Sequence, residues 1–172
     1  MSALRSVRSN SKVFYSRTQL TSRHLTTMSQ YKSSWPSNLE NDPAYVSFFE
    51  NFYKISDTAD AHEEYANQFT SDATLIMASK KVQGKDDILG MRKAMWEKIS
   101  ARSHVPEQIF PFTPASSNGQ DVMLHGTVTY DFKAGGKGGL PWAAKAKLVK
   151  DGGRVKMSFY QVYLDSAAQK PS

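Results

Sequence analysis

The period of the hydrophobic pattern changes once along this chain, close to residue 103, and that change limits the folds open to it. Before it, apolar residues recur every three or four positions; after it they alternate. In the segment Val122–Phe132, Val122, Leu124, Gly126, Val128, Tyr130 and Phe132 point one way, and Met123, His125, Thr127, Thr129 and Asp131 the other. Leu140–Val149 repeats the alternation, with Trp142, Ala144, Ala146 and Leu148 opposed to Lys145 and Lys147, and Arg154–Asp165 reads as a last strand. The run AGGKGG and the pair Asp151-Gly152 supply the hairpins between them. His104–Phe112 carries Pro106 and Pro111, which predicts an irregular or edge strand, since proline donates nothing to a ladder. Thr113–Gln120 is a loop by composition.

The first half reads as helical. Asp42-Pro43 opens a helix, with aspartate as N-cap and proline at the first position. Tyr45, Phe48, Phe49, Phe52 and Ile55 give it a strongly apolar face. Ser56-Asp57-Thr58 predicts the cap of a second helix bearing Ala61, Tyr65 and Phe69 at four-residue steps. Ala73–Ser79 is a short buried strand, Val82-Gln83 a brief partner, and Gly84 a turn. Asp86 and Asp87 then begin a third helix, with Ile88, Met91, Met95 and Ile99 on one face, ending near Ser103. No strand–helix–strand repeat calls for a parallel sheet. The expectation is an α+β fold: a curved antiparallel sheet forming a cone, with three N-terminal helices over one face.

Charge narrows the function classes. The net charge is +6, but residues 1–27 hold five of the 22 basic residues and none of the 16 acids, so the remainder is close to neutral. A nucleic-acid partner loses its electrostatic argument. No apolar run is long enough to span a bilayer, so no membrane partner is expected. Cysteine is absent, which removes disulfides, thiolate zinc and cysteine nucleophiles. The four histidines form no two-histidine helical zinc motif. Neither a metal nor a cofactor is expected, and GGKGG lacks the strand–loop–helix context of a phosphate loop.

Residues 1–27 are basic, hydroxyl-rich and free of acids, the composition of a mitochondrial transit peptide; the alternatives are a disordered leader, or translation beginning at Met28 and a cytoplasmic product. Residues 28–41 read as a polar linker, 42–166 as the domain, and 167–172 as a disordered tail.

Specific residues carry a resemblance. Phe69, Asp72-Ala73, Leu75, Gly84, the acid at Asp86 or Asp87, and Ile88 form one set. Gly153-Arg154-Val155, Phe159 and Tyr163-Leu164-Asp165 form another. In this order, over roughly residues 43–166, they resemble the nuclear transport factor 2-like superfamily, and within it the SnoaL-like branch. The resemblance implies a cone with a deep cavity capped by helices. It also implies a range of functions, from ketosteroid isomerase, polyketide cyclases and scytalone dehydratase, which need no cofactor, to members that bind only small molecules or proteins.

Within that frame His104 and His125 are similar in placement to the two histidines of scytalone dehydratase, and Asp57 or Asp60 to its aspartate. The implied chemistry is proton abstraction beside a carbonyl and proton return to a departing oxygen. Tyr53, Met77, Trp96, Trp142, Phe159 and Tyr163 are the candidate lining for a small apolar or cyclic molecule. The family's outer sheet face implies a homodimer, with Lys145 and Lys147 at its rim or simply in solvent. Two readings stand: a dehydratase, isomerase or cyclase acting on a small cyclic carbonyl compound, or a non-catalytic ligand-binding or dimeric interaction domain. The first requires both imidazoles to enter one cavity.

Overall fold

A computed structural model describes residues 29–112, 119–165 and 167. The leader 1–27, Met28, most of the 113–120 loop and the tail beyond 167 lie outside the described residues.

Helix α1 spans Pro43–Asp57. The Asp42 side chain accepts the Ala44 N–H at 2.8 Å, and Pro43 sits where its missing N–H costs nothing. Tyr45, Phe48, Phe49, Phe52 and Tyr53 are buried along it. α2 is one turn, His62–Ala66; β1 is Phe69–Met77, β2 Lys80–Gln83 and α3 Lys85–Met95. Then come β3 Ile99–Pro111, β4 Gln120–Phe132, β5 Lys137–Asp151 and β6 Arg154–Tyr163. The strands form one curved, unclosed sheet in the order β2-β1-β6-β5-β4-β3, with α1 and α3 packed against it. Among the described residues, no helix is long and apolar enough to cross a membrane.

Three local expectations are corrected. Ser56-Asp57-Thr58 does not start a helix: α1 runs through Asp57, and Phe69 belongs to β1, where it pairs with Met157. α3 stops at Met95, because Ile99 is taken by β4 as the partner of Phe132. Tertiary pairing overrides the helical period in both places. The sheet is also not wholly antiparallel, since β1 runs parallel to β6, with Leu75 opposite Tyr160 and Met77 opposite Val162. β3 is an edge strand, as its prolines predict, and it bulges between Pro106 and Gln108.

Residues 29–41, read as a linker from sequence, lie along that edge. Ser34 donates its N–H to the Glu107 carbonyl at 2.8 Å and accepts the Ile109 N–H at 3.0 Å. The Trp35 ring rests 6.4 Å from Phe49. This short bridge covers part of an otherwise open strand edge.

Candidate active site

A cavity of about 530 Å³ opens between α1, the start of β3 and the inner face of β4, β5 and β6. Its walls are mainly apolar and aromatic: Phe52 and Tyr53 from α1, Met77 from β1, Val128 and Tyr130 from β4, Trp142 from β5. Gly126 makes room for the indole. A Cβ placed there would overlap the Val105 carbonyl oxygen and lie 2.9 Å from Pro106 Cα and 3.0 Å from Trp142 Cζ2.

The polar groups come from the end of α1 and the first half of β3. Arg102 and His104 are two apart on β3, opposite Tyr130 and Val128, so both face inward. Asp57, the last residue of α1, meets them. Its Oδ2 accepts the His104 backbone N–H at 2.6 Å, and its Oδ1 accepts from His104 Nδ1 at 2.5 Å. The side chains of Asp57 and His104 are 5% and 14% exposed, so the pair is largely desolvated. Burial pushes the His104 imidazole below its ordinary range; Asp57 opposes that shift, and the charges of Arg102 and Arg92 reinforce it. Burial thus favours the neutral imidazole, and a proton on Nδ1 facing Asp57 leaves the Nε2 lone pair unshared with it. Its ring packs 5.2 Å from Tyr53 and edge-on 5.9 Å from Trp142.

Two guanidiniums surround this dyad. Arg102 Nε lies 3.5 Å from Asp57 Oδ1, and Nη2 donates to the Ser56 carbonyl and, at 3.0 Å, to its hydroxyl. Arg92, fully buried on α3, donates to the carbonyls of Ser56 at 2.9 Å and Thr58 at 2.6 Å, which caps the C-terminal end of α1. Burial and the charge of Arg102 push Arg92 down to about 10, still cationic at neutral pH. Both guanidiniums stand about 5 Å from the Trp96 ring centroid, at 5.0 and 4.9 Å.

Deeper in the cavity the Tyr53 and Tyr160 hydroxyls are 2.9 Å apart. Burial raises both phenols, so they remain protonated donors. From the edge segment, Tyr31 turns its phenol to Asp57; burial, then the charge of Asp57 and a hydrogen bond to it, raise that phenol as well.

His104, Tyr53, Met77 and Trp142 thus line one cavity, and Asp57 stands behind His104, bonded to it. The other candidates do not. His125 alternates to the outer face, where Nδ1 is 3.4 Å from Glu107, Nε2 is 3.2 Å from Gln108 Oε1, and the ring stacks 5.9 Å from Phe110. The histidines lie on opposite faces of the sheet, so they cannot act on one substrate. Asp60 sits exposed in the turn after α1, because the longer α1 carries Asp57, not Asp60, to β3. Phe159 and Tyr163 share the outer face with Lys147 and Ala143, their register partners, and Tyr163 is half exposed. Trp96 backs the arginines rather than lining the cavity. Among the described residues no group of three or more His, Asp or Glu is placed to hold a metal.

This chain has the fold of the nuclear transport factor 2-like superfamily. Among solved structures it is similar to a candidate scytalone dehydratase from Novosphingobium aromaticivorans, at 18% identity and a TM-score of 0.64 over 74% of this chain and 90% of that one. It is also similar to nuclear transport factor 2 of Cryptosporidium parvum, at 15% identity and a TM-score of 0.59 over 74% and 99%. A third is a Catenulispora acidiphila protein in complex with S-DNPA, at 17% identity and a TM-score of 0.59 over 69% and 89%. At these identities the likeness establishes the fold. No family model matches the chain, and no curated sequence matches it significantly.

Proposed function

We propose that this is a SnoaL-like, cofactor-independent acid–base enzyme, a dehydratase, isomerase or cyclase acting on a small cyclic carbonyl compound. The observation that carries the proposal is the Asp57–His104 dyad set into an apolar cavity. His104 Nε2 takes a proton from the carbon beside the substrate carbonyl, and Asp57 steadies the resulting imidazolium. The Tyr53–Tyr160 phenol pair donates to the enolate oxygen as charge develops there. The imidazolium then returns its proton, to another carbon in an isomerisation or to a departing hydroxyl in a dehydration. The two-histidine form expected from the sequence fails, because His125 lies outside the cavity; in the single-histidine form proposed in its place, His104 serves as both base and acid. Tyr53 and Trp142 supply the ring-stacking walls.

Deuterium exchange at the α-carbon of 2-tetralone, followed by proton NMR, tests this. His104→Ala is expected to slow exchange by about 10²–10⁴-fold, and His125→Ala to leave it unchanged. Equal exchange by wild type and His104→Ala would overturn the reading. A second reading, ligand carriage without turnover, is favoured by the way Asp57 is taken up by His104 and Ser56 by Arg102. It predicts tight tetralone binding with no exchange.

The outer face supports a homodimer. Val105, Phe110, Met123 and Tyr163 are exposed there, with Phe110 directly opposite Met123 in the register. Sedimentation of wild type and Phe110→Glu compares their masses, and a wild-type monomer at micromolar concentration removes the dimer. The leader is proposed to direct mitochondrial import; imaging with and without residues 1–27 checks it, and identical cytosolic signals would end that idea.

A further inference from the structure

The buried charges around the dyad do not balance. Among the described residues around the dyad, Asp57 is the one nearly buried acid, facing the guanidiniums of Arg92 and Arg102 and an imidazole that burial holds below its ordinary range. An extra cation in a desolvated site is costly unless something anionic shares it. Arg92 is largely satisfied by the carbonyls at the end of α1 and by the faces of Tyr65 and Trp96. Arg102 differs. Its side chain is 7% exposed and, unlike Arg92, it lines the cavity; Nη2 is held by Ser56, and Nε, like that of Arg92, has no hydrogen-bond partner. Asp57, its nearest carboxylate, already accepts two shorter bonds from His104. At the mouth the exposed neighbours Glu97 and Lys98 offset one another, so Arg102 is the buried cation of the lining, and the remaining wall is mainly aliphatic and aromatic.

We infer that the cavity is a site for an anionic ring compound, one carrying a carboxylate whose oxygens are received by Arg102. With both Nη2 hydrogens given to Ser56, the remaining N–H groups of the guanidinium receive the carboxylate in charge-assisted bonds. The ring lies against Tyr53 and Trp142 while the acid group is held at Arg102, two residues from the base. Arg102 is a positioning residue in this arrangement. The inference rests on the enzyme reading only for its consequence, that the substrate is a cyclic carbonyl compound bearing an acid group; the binding preference itself does not require turnover.

The test uses two probes of nearly equal shape, 1-naphthoate and 1-naphthamide, titrated calorimetrically into the full chain. Naphthoate is expected to bind at least tenfold more tightly in wild type, and the ratio to fall to about one in Arg102→Gln. The wild-type ratio needs no variant, so misfolding of Arg102→Gln cannot shelter the proposal. A ratio near one in wild type, no naphthoate binding at millimolar concentration, or a preference that survives in folded Arg102→Gln would each overturn it. His104→Ala should keep the acid preference while losing tetralone exchange. Loss of the preference with exchange intact would defeat the anion site and leave the base; the converse would defeat the base alone.

Discussion

His104 is where the candidate site is most sensitive to its surroundings. Burial holds the imidazole below its ordinary range, so the basic form persists into mild acid. The acid limb of kcat/KM is therefore expected to show an apparent pKa under about 6.5, measured as a pH–rate profile. Stability carries the same sign. A histidine that binds its proton less readily when folded than when unfolded contributes fully above its unfolded pKa. That contribution is lost as the pH falls through the window between the unfolded and folded values. Urea unfolding at about pH 7.5 and pH 5 should show a larger loss for wild type than for His104→Gln. Equal losses would place the imidazole in water. His104 and Asp57 were legible in the sequence as candidates, but Arg102 was not. Reading the third helix as far as Ser103 hid the two-residue step that sets Arg102 and His104 on one strand face. Arg92 left a trace: with Ile88, Met91 and Met95 it completes an i, i+3, i+4, i+7 stripe, and a charge inside an apolar stripe points to a buried role.

At the scale of elements, the site exists because α1 and α3 are joined end to side. Arg92 reaches from α3 to three carbonyls at the end of α1, including Ile55 at 3.4 Å. Arg92→Met should lower unfolding free energy by roughly 2–4 kcal/mol, read from urea melts, because those carbonyls lose their donor in a buried place. Gly126 serves the other wall. Gly126→Ala pushes the bulged β3 and Trp142 apart, and a cost of about 1–3 kcal/mol is expected, with weaker tetralone binding. The alternation of β4 and β5 was readable residue by residue because both strands are long and one face is apolar. The short elements were not. A five-residue helix has too few positions to show a period, and the ends of α1 and α3 depend on partners far along the chain.

For the whole molecule, contacts with the domain extend to the N-terminal side of Asp42. Trp35 packs on Phe49 and Tyr31 faces Asp57, so residues 29–41 contribute both packing and a polar contact at the dyad. Their amino acids gave no sign of this, since a polar segment with a proline looks the same whether it crosses a sheet edge or hangs in solvent. A chain starting at residue 42 should unfold about 2 kcal/mol more readily than one starting at residue 29, compared by urea denaturation. Topology adds a matter of timing. β1 finds its long parallel partner only in β6, so Leu75 waits for Tyr160 and Met77 for Val162. Contacts so distant in sequence are slow to form. On the ribosome β3, β4 and β5 can zip together early, whereas the wall that Tyr160 shares with Tyr53 is absent until the last strand emerges. The cavity's last wall is thus the final part of the protein to be made, and in a nascent chain lacking β6 the cavity is incomplete.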